Sequence, residues 1–234
     1  MRTTLLPSLS ALAVAVVACG GNASDRAGAR TPETIGESRA PTDAAIDTSC
    51  RALCALHPDY AGSSRAVPLF SLRTIDGTTV TMDQLRGRVV LLNVWSSVAA
   101  SVVATEMPEL AKLAAMLHAR TDVVLLTIAA EDYPEHATAL LRATLGEGAR
   151  YTVLIDQGSK VAAQLGTQKF PETWLIDRSG VLRARFDGRR AWGDAKVIAM
   201  LDATRDGAFC PVQIDGGYIS GAGDVACEKA AVTR

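Results

Sequence analysis

Leu91-Leu92-Asn93-Val94-Trp95-Ser96-Ser97-Val98-Ala99-Ala100-Ser101-Val102-Val103-Ala104-Thr105-Glu106-Met107-Pro108-Glu109-Leu110 is the stretch whose reading decides the fold. Its first residues belong to an apolar run from Val89 to Val94, rich in β-branched side chains, as a strand buried on both faces should be. After Ser96 and Ser97 the period changes. Val103, Met107, Leu110, Ala114 and Leu117 recur at spacings of four and three, which puts one apolar stripe on a helix facing the sheet. Pro108 lies inside that pattern and predicts a kink.

Working outward, Val123 to Ala129 is a second continuous apolar run and a second central strand. Tyr133 to Leu145 reads as a helix ended by Gly146-Glu147-Gly148, Tyr151 to Ile155 as a short strand, and Ser159 to Leu165 as a short helix. Thr173 to Ile176 and Val181 to Phe186 form a hairpin turned by Asp177-Arg178-Ser179-Gly180, and Trp192 to Leu201 closes with a helix. Upstream, Phe70 to Val80 is hairpin-like around Asp76-Gly77. Parallel strands joined by helices, then an antiparallel hairpin, predict an α/β sandwich: a central mixed sheet, helices on both faces and an N-terminal β-hairpin. The 234 residues carry a net charge of −1 with both signs mixed, and pairs such as Arg189-Arg190 are isolated, which argues against nucleic acid as a partner. No internal repeat or Gly-rich phosphate loop is visible.

Three blocks, in this order and spacing, carry a resemblance. They are Leu85-Arg86-Gly87-Arg88-Val89-Val90, the Asn93-Val94-Trp95 to Glu106-Met107-Pro108 segment, and Phe170-Pro171-Glu172-Thr173-Trp174-Leu175-Ile176-Asp177-Arg178-Ser179-Gly180. The chain over 62–206 resembles the TlpA/ResA group of periplasmic thiol-disulfide oxidoreductases, in the redoxin superfamily. The resemblance implies a thioredoxin-like fold with Pro171 cis beside the redox site. It also implies a Cys-x-x-Cys pair, which is missing. Counting from Trp95 places the expected cysteines at Ala99 and Val102; counting back from Met107-Pro108 places them at Ala100 and Val103. Exchange needs an attacking and a leaving thiolate, so neither register leaves a nucleophile there. A peroxiredoxin-type peroxidase is excluded for the same reason.

The ends carry further signals. Residues 1–18 read as an export signal, with Arg2 ahead of an apolar run from Leu9 to Ala18 too short to span a bilayer comfortably. Val16-Val17-Ala18-Cys19 resembles a bacterial lipobox, which implies cleavage before Cys19 and a diacylglycerol on its sulfur. Two acyl chains suffice to anchor a protein to a membrane. The alternative is an ordinary secretory peptide with an incidental cysteine. Residues 19–49 contain only Ile35 and Ile46 as large apolar side chains and are expected to form a flexible tether with a reach of about 30 Å. The remainder divides into a Cys-containing flank at 50–61, the domain at 62–206, and a Cys-containing tail at 207–234 without helical or strand periodicity.

With Cys19 assigned to lipid, Cys50, Cys54, Cys210 and Cys227 remain, an even number that points to structural disulfides in an exported protein. If 49–56 is helical, Cys50 and Cys54 have Cβ atoms about 5–6 Å apart, whereas a disulfide wants about 3.5–4.5 Å. Bridges from this pair to Cys210 and Cys227 are therefore favoured, with local pairing, Cys50 to Cys54 and Cys210 to Cys227, as the alternative. Two functional readings compete: a displaced redox pair, or a soft-metal site for Cu(I) or Zn completed by His57, for which only three ligands are visible. No metal or other cofactor is expected.

Ser96, Ser97, Ser101 and Thr105 supply hydroxyls near the altered site, but a nucleophilic serine needs a base and an orienting partner. His57, His118 and His136 are distant in sequence, and His118 suits a helix C-terminus. Trp95, Phe170 and Pro171 are either core residues or, as the resemblance implies, an apolar groove. There the backbone before the cis-proline receives a partner polypeptide as an extended strand. The expected function is that of an exported, membrane-tethered thioredoxin-like protein that binds a polypeptide and lacks dithiol chemistry at the usual site. The rival is a thiol-disulfide oxidoreductase working through Cys50 and Cys54, in cytochrome c or copper-site maturation as the family does.

Overall fold

In the computed structural model, the described residues are 40–61, 65–146, 151–210, 212–215 and 218–221. The expected signal segment 1–18, Cys19 and Cys227 lie outside them, as does most of the expected tether. Helix α1 (Asp43–Ala55) comes first, followed by β1 (Tyr60–Ala61), β2 (Ser71–Thr74), β3 (Thr79–Thr81) and β4 (Val89–Trp95). Then come α2 (Ala100–Leu117), β5 (Val123–Ala129), α3 (Pro134–Leu145), β6 (Thr152–Ile155) and α4 (Lys160–Leu165). The chain continues through β7 (Glu172–Ile176), β8 (Leu182–Asp187), α5 (Ala195–Arg205), β9 (Val212–Asp215) and β10 (Tyr218–Gly221).

Eight strands form one mixed sheet in the order β1-β8-β7-β4-β5-β6-β2-β3. β4 pairs in parallel with β5 and antiparallel with β7, so it sits at the centre, and all seven of its residues are buried. Alternation along β4 feeds both sides of the sheet. Val89 and Leu91 pack with α1, α2 and α5, and Trp95 with α2 and α3. Val90, Leu92 and Val94 pack on the other face with α4, Phe70 and Leu85. Each such fully buried side chain contributes about 1.5–3 kcal/mol. This is a thioredoxin-like α/β sandwich with helices on both faces.

Three boundaries differ from the sequence reading. The tether expected through 49 ends earlier, because α1 starts at Asp43 with Thr42 accepting from the Ala45 N–H at 3.3 Å, and its Cys50, Leu53 and Cys54 are buried in packing against α5. The tail at 207–234 is not without strands, since β9 and β10 pair antiparallel. The last helix begins at Ala195, capped by Asp194, instead of at Trp192. α2 runs as one helix through Pro108, whose missing N–H removes a single intrahelical bond.

Candidate functional site

β4 delivers the chain to the turn where the thiols were expected. The Trp95 C=O accepts from the Ala130 N–H at 2.8 Å, which fixes the strand end against the segment after β5. Ser96 is extended and buried; its hydroxyl accepts from the Val98 N–H at 3.3 Å and donates to Glu131 Oε1 at 3.1 Å. Glu131, also buried, accepts from the Ser97 N–H as well, so one carboxylate ties down the turn. A 3₁₀ turn, Ser97–Ala99, then leads into α2 at Ala100. Ala99 and Ala100 are half-buried, Val103 is buried, and Val102 is exposed. No thiol stands at this helix N-terminus. Among the described residues the Ser96 hydroxyl bonds to Glu131 and to the Val98 N–H and to no histidine, so the base a serine nucleophile needs is not beside Ser96. Ser101 and Thr105 are exposed, and Thr105 donates to the Val102 C=O at 2.7 Å. His57 follows α1, His118 caps the end of α2, and the His136 ring in α3 lies tilted against Tyr133, the residue that caps that helix, with centroids 5.5 Å apart.

Beneath the turn lies a buried polar network. Glu106 Oε1 accepts from Trp192 Nε1 at 2.6 Å and from the Arg190 N–H at 3.4 Å. Glu106 Oε2 accepts from Asn93 Nδ2 at 3.1 Å, and the same nitrogen donates to Thr173 Oγ1 at 2.9 Å, directly across from it on β7. Burial pushes the Glu106 carboxyl above its ordinary range, against the pull of the Trp192, Asn93 and Arg190 hydrogen bonds. Arg190 also reaches back to α1, donating to the Leu56 C=O and the His57 C=O at 2.7 Å each. The network was not anticipated from the sequence. Its signal was a polar residue on an apolar stripe, for Glu106 lies three after Val103 and four before Leu110.

The Phe170–Pro171 peptide bond is cis. Val94 faces Glu172 across β4 and β7, so Pro171, just ahead of β7, stands beside the end of β4 that leads into the Ser96–Ala99 turn. The Pro171 C=O accepts from the Gly188 N–H at 2.8 Å, and buried Glu172 accepts from Thr167 Oγ1 at 2.8 Å. Burial raises the Glu172 carboxyl too. Among the described residues, no backbone hydrogen bond engages the N–H or C=O of Lys169 or Phe170. Phe170 is half-buried against the α4-side core. Trp95 does not line a groove: at 1% exposure it is a core residue, because its side chain falls on the face covered by α2 and α3. The exposed apolar side chains around the turn are instead Val98 at 84% exposure, Val102 at 43% and, at the N-terminus of α3, which packs against the turn, Tyr133 at 60%.

A family model for redoxin matches residues 61–201. The chain belongs to the redoxin family. Thiol:disulfide interchange protein DsbE of Pseudomonas fluorescens biotype C is 32% identical to it over 145 residues, which cover 59% of this chain and 77% of that protein. A thioredoxin-type solved structure from Neisseria meningitidis matches with a TM-score of 0.50 and 28% identity, covering 61% of this chain and 91% of that one. A DsbE-type structure from Chlorobium tepidum matches with a TM-score of 0.52 at 23% identity, covering 63% and 99% respectively, a likeness of fold alone. This redoxin therefore keeps the frame of the thiol-disulfide oxidoreductases, with alanine and valine at the positions where the resemblance implies cysteines.

The described cysteines lie elsewhere in the fold. Cys50 is bonded to Cys210, with Cα atoms 4.8 Å apart and 160 residues between them in sequence. The local Cys50–Cys54 bond is thus not formed. Cys54 is also disulfide-bonded. Cys50 and Cys54 are 3% and 4% exposed, inside the α1 face that packs on α5. Sulfurs already committed to disulfides are not thiolate ligands, so the soft-metal reading with His57 fails. Among the described residues no group of three or more His, Cys, Asp or Glu is disposed to hold a metal ion.

Proposed function

We propose that this redoxin binds an extended polypeptide at the surface beside Pro171 and performs no dithiol exchange there. Two observations carry the reading: Val98 and Val102 are exposed where β4 runs into α2, and just ahead of β7, the strand next to β4, the main chain of Lys169 and Phe170 is unengaged among the described residues. An incoming strand pairs with that backbone by β-augmentation, and the apolar rim takes its side chains. The reading in which Cys50 and Cys54 act as a redox pair lacks what it needs, since Cys50 is joined to Cys210 and both sulfurs are buried. The signal-like residues 1–18 and the disulfides support an exported, periplasm-facing protein anchored through a lipid on Cys19. Among the described residues, no helix is long and apolar enough to cross a membrane.

Carboxymethylated, unfolded ribonuclease is a suitable probe because it offers extended chain without reactive thiols. Fluorescence anisotropy is expected to show binding that Val98→Glu with Val102→Glu weakens about tenfold by putting charge on the apolar rim. Equal affinity of wild type and variant, or no binding at all, sinks the proposal. In the insulin reduction assay with dithiothreitol the protein is expected to add nothing to the uncatalysed rate.

A further inference from the structure

We propose a second polypeptide site, a strand-addition groove at the end of β6 that takes an extended acidic segment. It lies away from Pro171 and does not depend on the reading above.

The groove follows from the register of the hairpin. The Thr74 N–H donates to the Thr78 C=O, and the Met82 N–H to the Phe70 C=O, so residues 70, 72 and 74 point their main chain at β3. Residues 71, 73 and 75 therefore point theirs the other way, toward β6, and the Ile75 N–H does donate to the Val153 C=O at 3.0 Å. β6 stops at Ile155, which pairs with Arg73. The chain then turns away at Asp156 into α4, whose first N–H groups, on Val161 and Ala162, the Asp156 carboxylate accepts at 2.9 Å each. β2 outruns its neighbour. The main chain of Ser71, and of Leu69 before it, faces the place where β6 would have continued, and among the described residues no backbone hydrogen bond meets it from that side.

That place is a groove of about 630 Å³, walled by Pro134 and Thr138 of α3 and by Lys160, Val161 and Gln164 of α4. Leu69 and Ile75 on its rim are 65% and 45% exposed, an apolar lining without cover. Its charge is one-sided. Arg73 and Lys160 are exposed and form no ion pair among the described residues, while Asp156, the acidic residue of the lining, is buried and spent on the start of α4. An open strand edge supplies main-chain pairing for an extended segment, and two unmatched cations select carboxylates on it.

The probe is a blocked heptapeptide alternating valine and glutamate, with a valine-lysine heptapeptide as control, titrated against the full chain. The glutamate peptide is expected to bind and to slow hydrogen exchange at the Ser71 amide, which the folded protein leaves unpaired. Arg73→Glu with Lys160→Glu, both exposed positions that leave the fold intact, is expected to weaken it about tenfold. Ser71→Pro removes the donor at no cost to the β3 ladder and is expected to weaken it as well. Val98→Glu with Val102→Glu leaves this binding unchanged, which separates the two sites. Equal binding of both peptides overturns the proposal. So does unaltered Ser71 exchange, or exchange protection by anionic phospholipid vesicles in place of the peptide.

Discussion

Glu106→Gln tests the buried network by its pH dependence. The carboxyl starts from an ordinary value of 4.5, and burial raises it in the folded protein. Below the unfolded value both states are protonated and the stability from the tighter proton is fully present. As pH rises from there to the folded value, the unfolded chain ionises first, and stability is lost at up to about 1.4 kcal/mol per pH unit. Above the folded value the loss is complete and constant. Glutamine has no proton to lose. Its Oε1 keeps the Trp192 and Arg190 donors, while its Nε2 faces the Asn93 Nδ2, which loses its acceptor on Glu106 and keeps Thr173. The exchange costs about 1–3 kcal/mol as an offset that does not vary with pH. Urea denaturation of both proteins from about pH 4 to pH 8 gives the difference in stability, in which Glu172 and every other titrating group cancels. The variant is expected to gain on wild type as pH rises and then hold level. A flat difference, or one that falls with pH, would falsify the assignment of a raised Glu106. Trp192→Phe deletes a donor to the anion and is expected to extend the sloping window to higher pH.

Paired Cys50→Ala and Cys210→Ala open a loop closed across 160 residues, for which the chain-entropy model gives about 5 kcal/mol; the surviving Cys54 bond keeps the loss below that, and an unchanged urea midpoint contradicts the staple. Ala100→Cys with Val103→Cys is expected to recover a reversible disulfide and insulin reduction, because Ala100 is the first residue of α2, where a thiol ionises more readily, and Val103 is buried close to it. Activity in Ala99→Cys with Val102→Cys instead would reverse that register, and inactivity of both folded variants would show decay beyond the two thiols. Cys19→Ser is expected to release the protein from membranes, and a mature N-terminus that mass spectrometry finds unmodified defeats the lipid assignment.

The sheet was legible because its strands announce themselves by composition. Val123 to Ala129 is an apolar run interrupted only at Thr127, and it is β5 to the residue. Where the signal was an average over a window, it failed. Thr42 and Asp43 are a helix cap and an acidic first turn, yet they sit in a segment whose overall polarity hid the short amphipathic helix behind them. Trp192 extends an apparent helical pattern, but its indole turns inward to Glu106, and Asp194 is the residue that starts α5. The rim of Val98, Val102 and Tyr133 could not be read from the chain, since apolar residues in a turn and at a helix start look like core until the sheet decides which side they face. Trp95 shows the converse, a residue that resemblance put on a groove and strand alternation put in the core.

What the site retains follows from what each group does for folding. The first of the two expected thiols, at half-buried Ala99 or Ala100, would close little core, so alanine there costs the fold little. Glu106 is different. Removing its carboxylate without replacing it would strand the Trp192 indole N–H and the Asn93 amide in the protein interior, at about 1–3 kcal/mol each. The Arg190 that shares this network also holds the C=O groups at the end of α1, the helix stapled by Cys50 to Cys210. The polar network is thus tied to the packing of α1 on α5, and it holds whether or not chemistry happens above it. The fold that exchange chemistry uses persists here with alanine and valine at the expected thiol positions because the groups beneath them carry structural weight of their own, and the proposed binding surface of backbone and apolar rim has no need of thiols either.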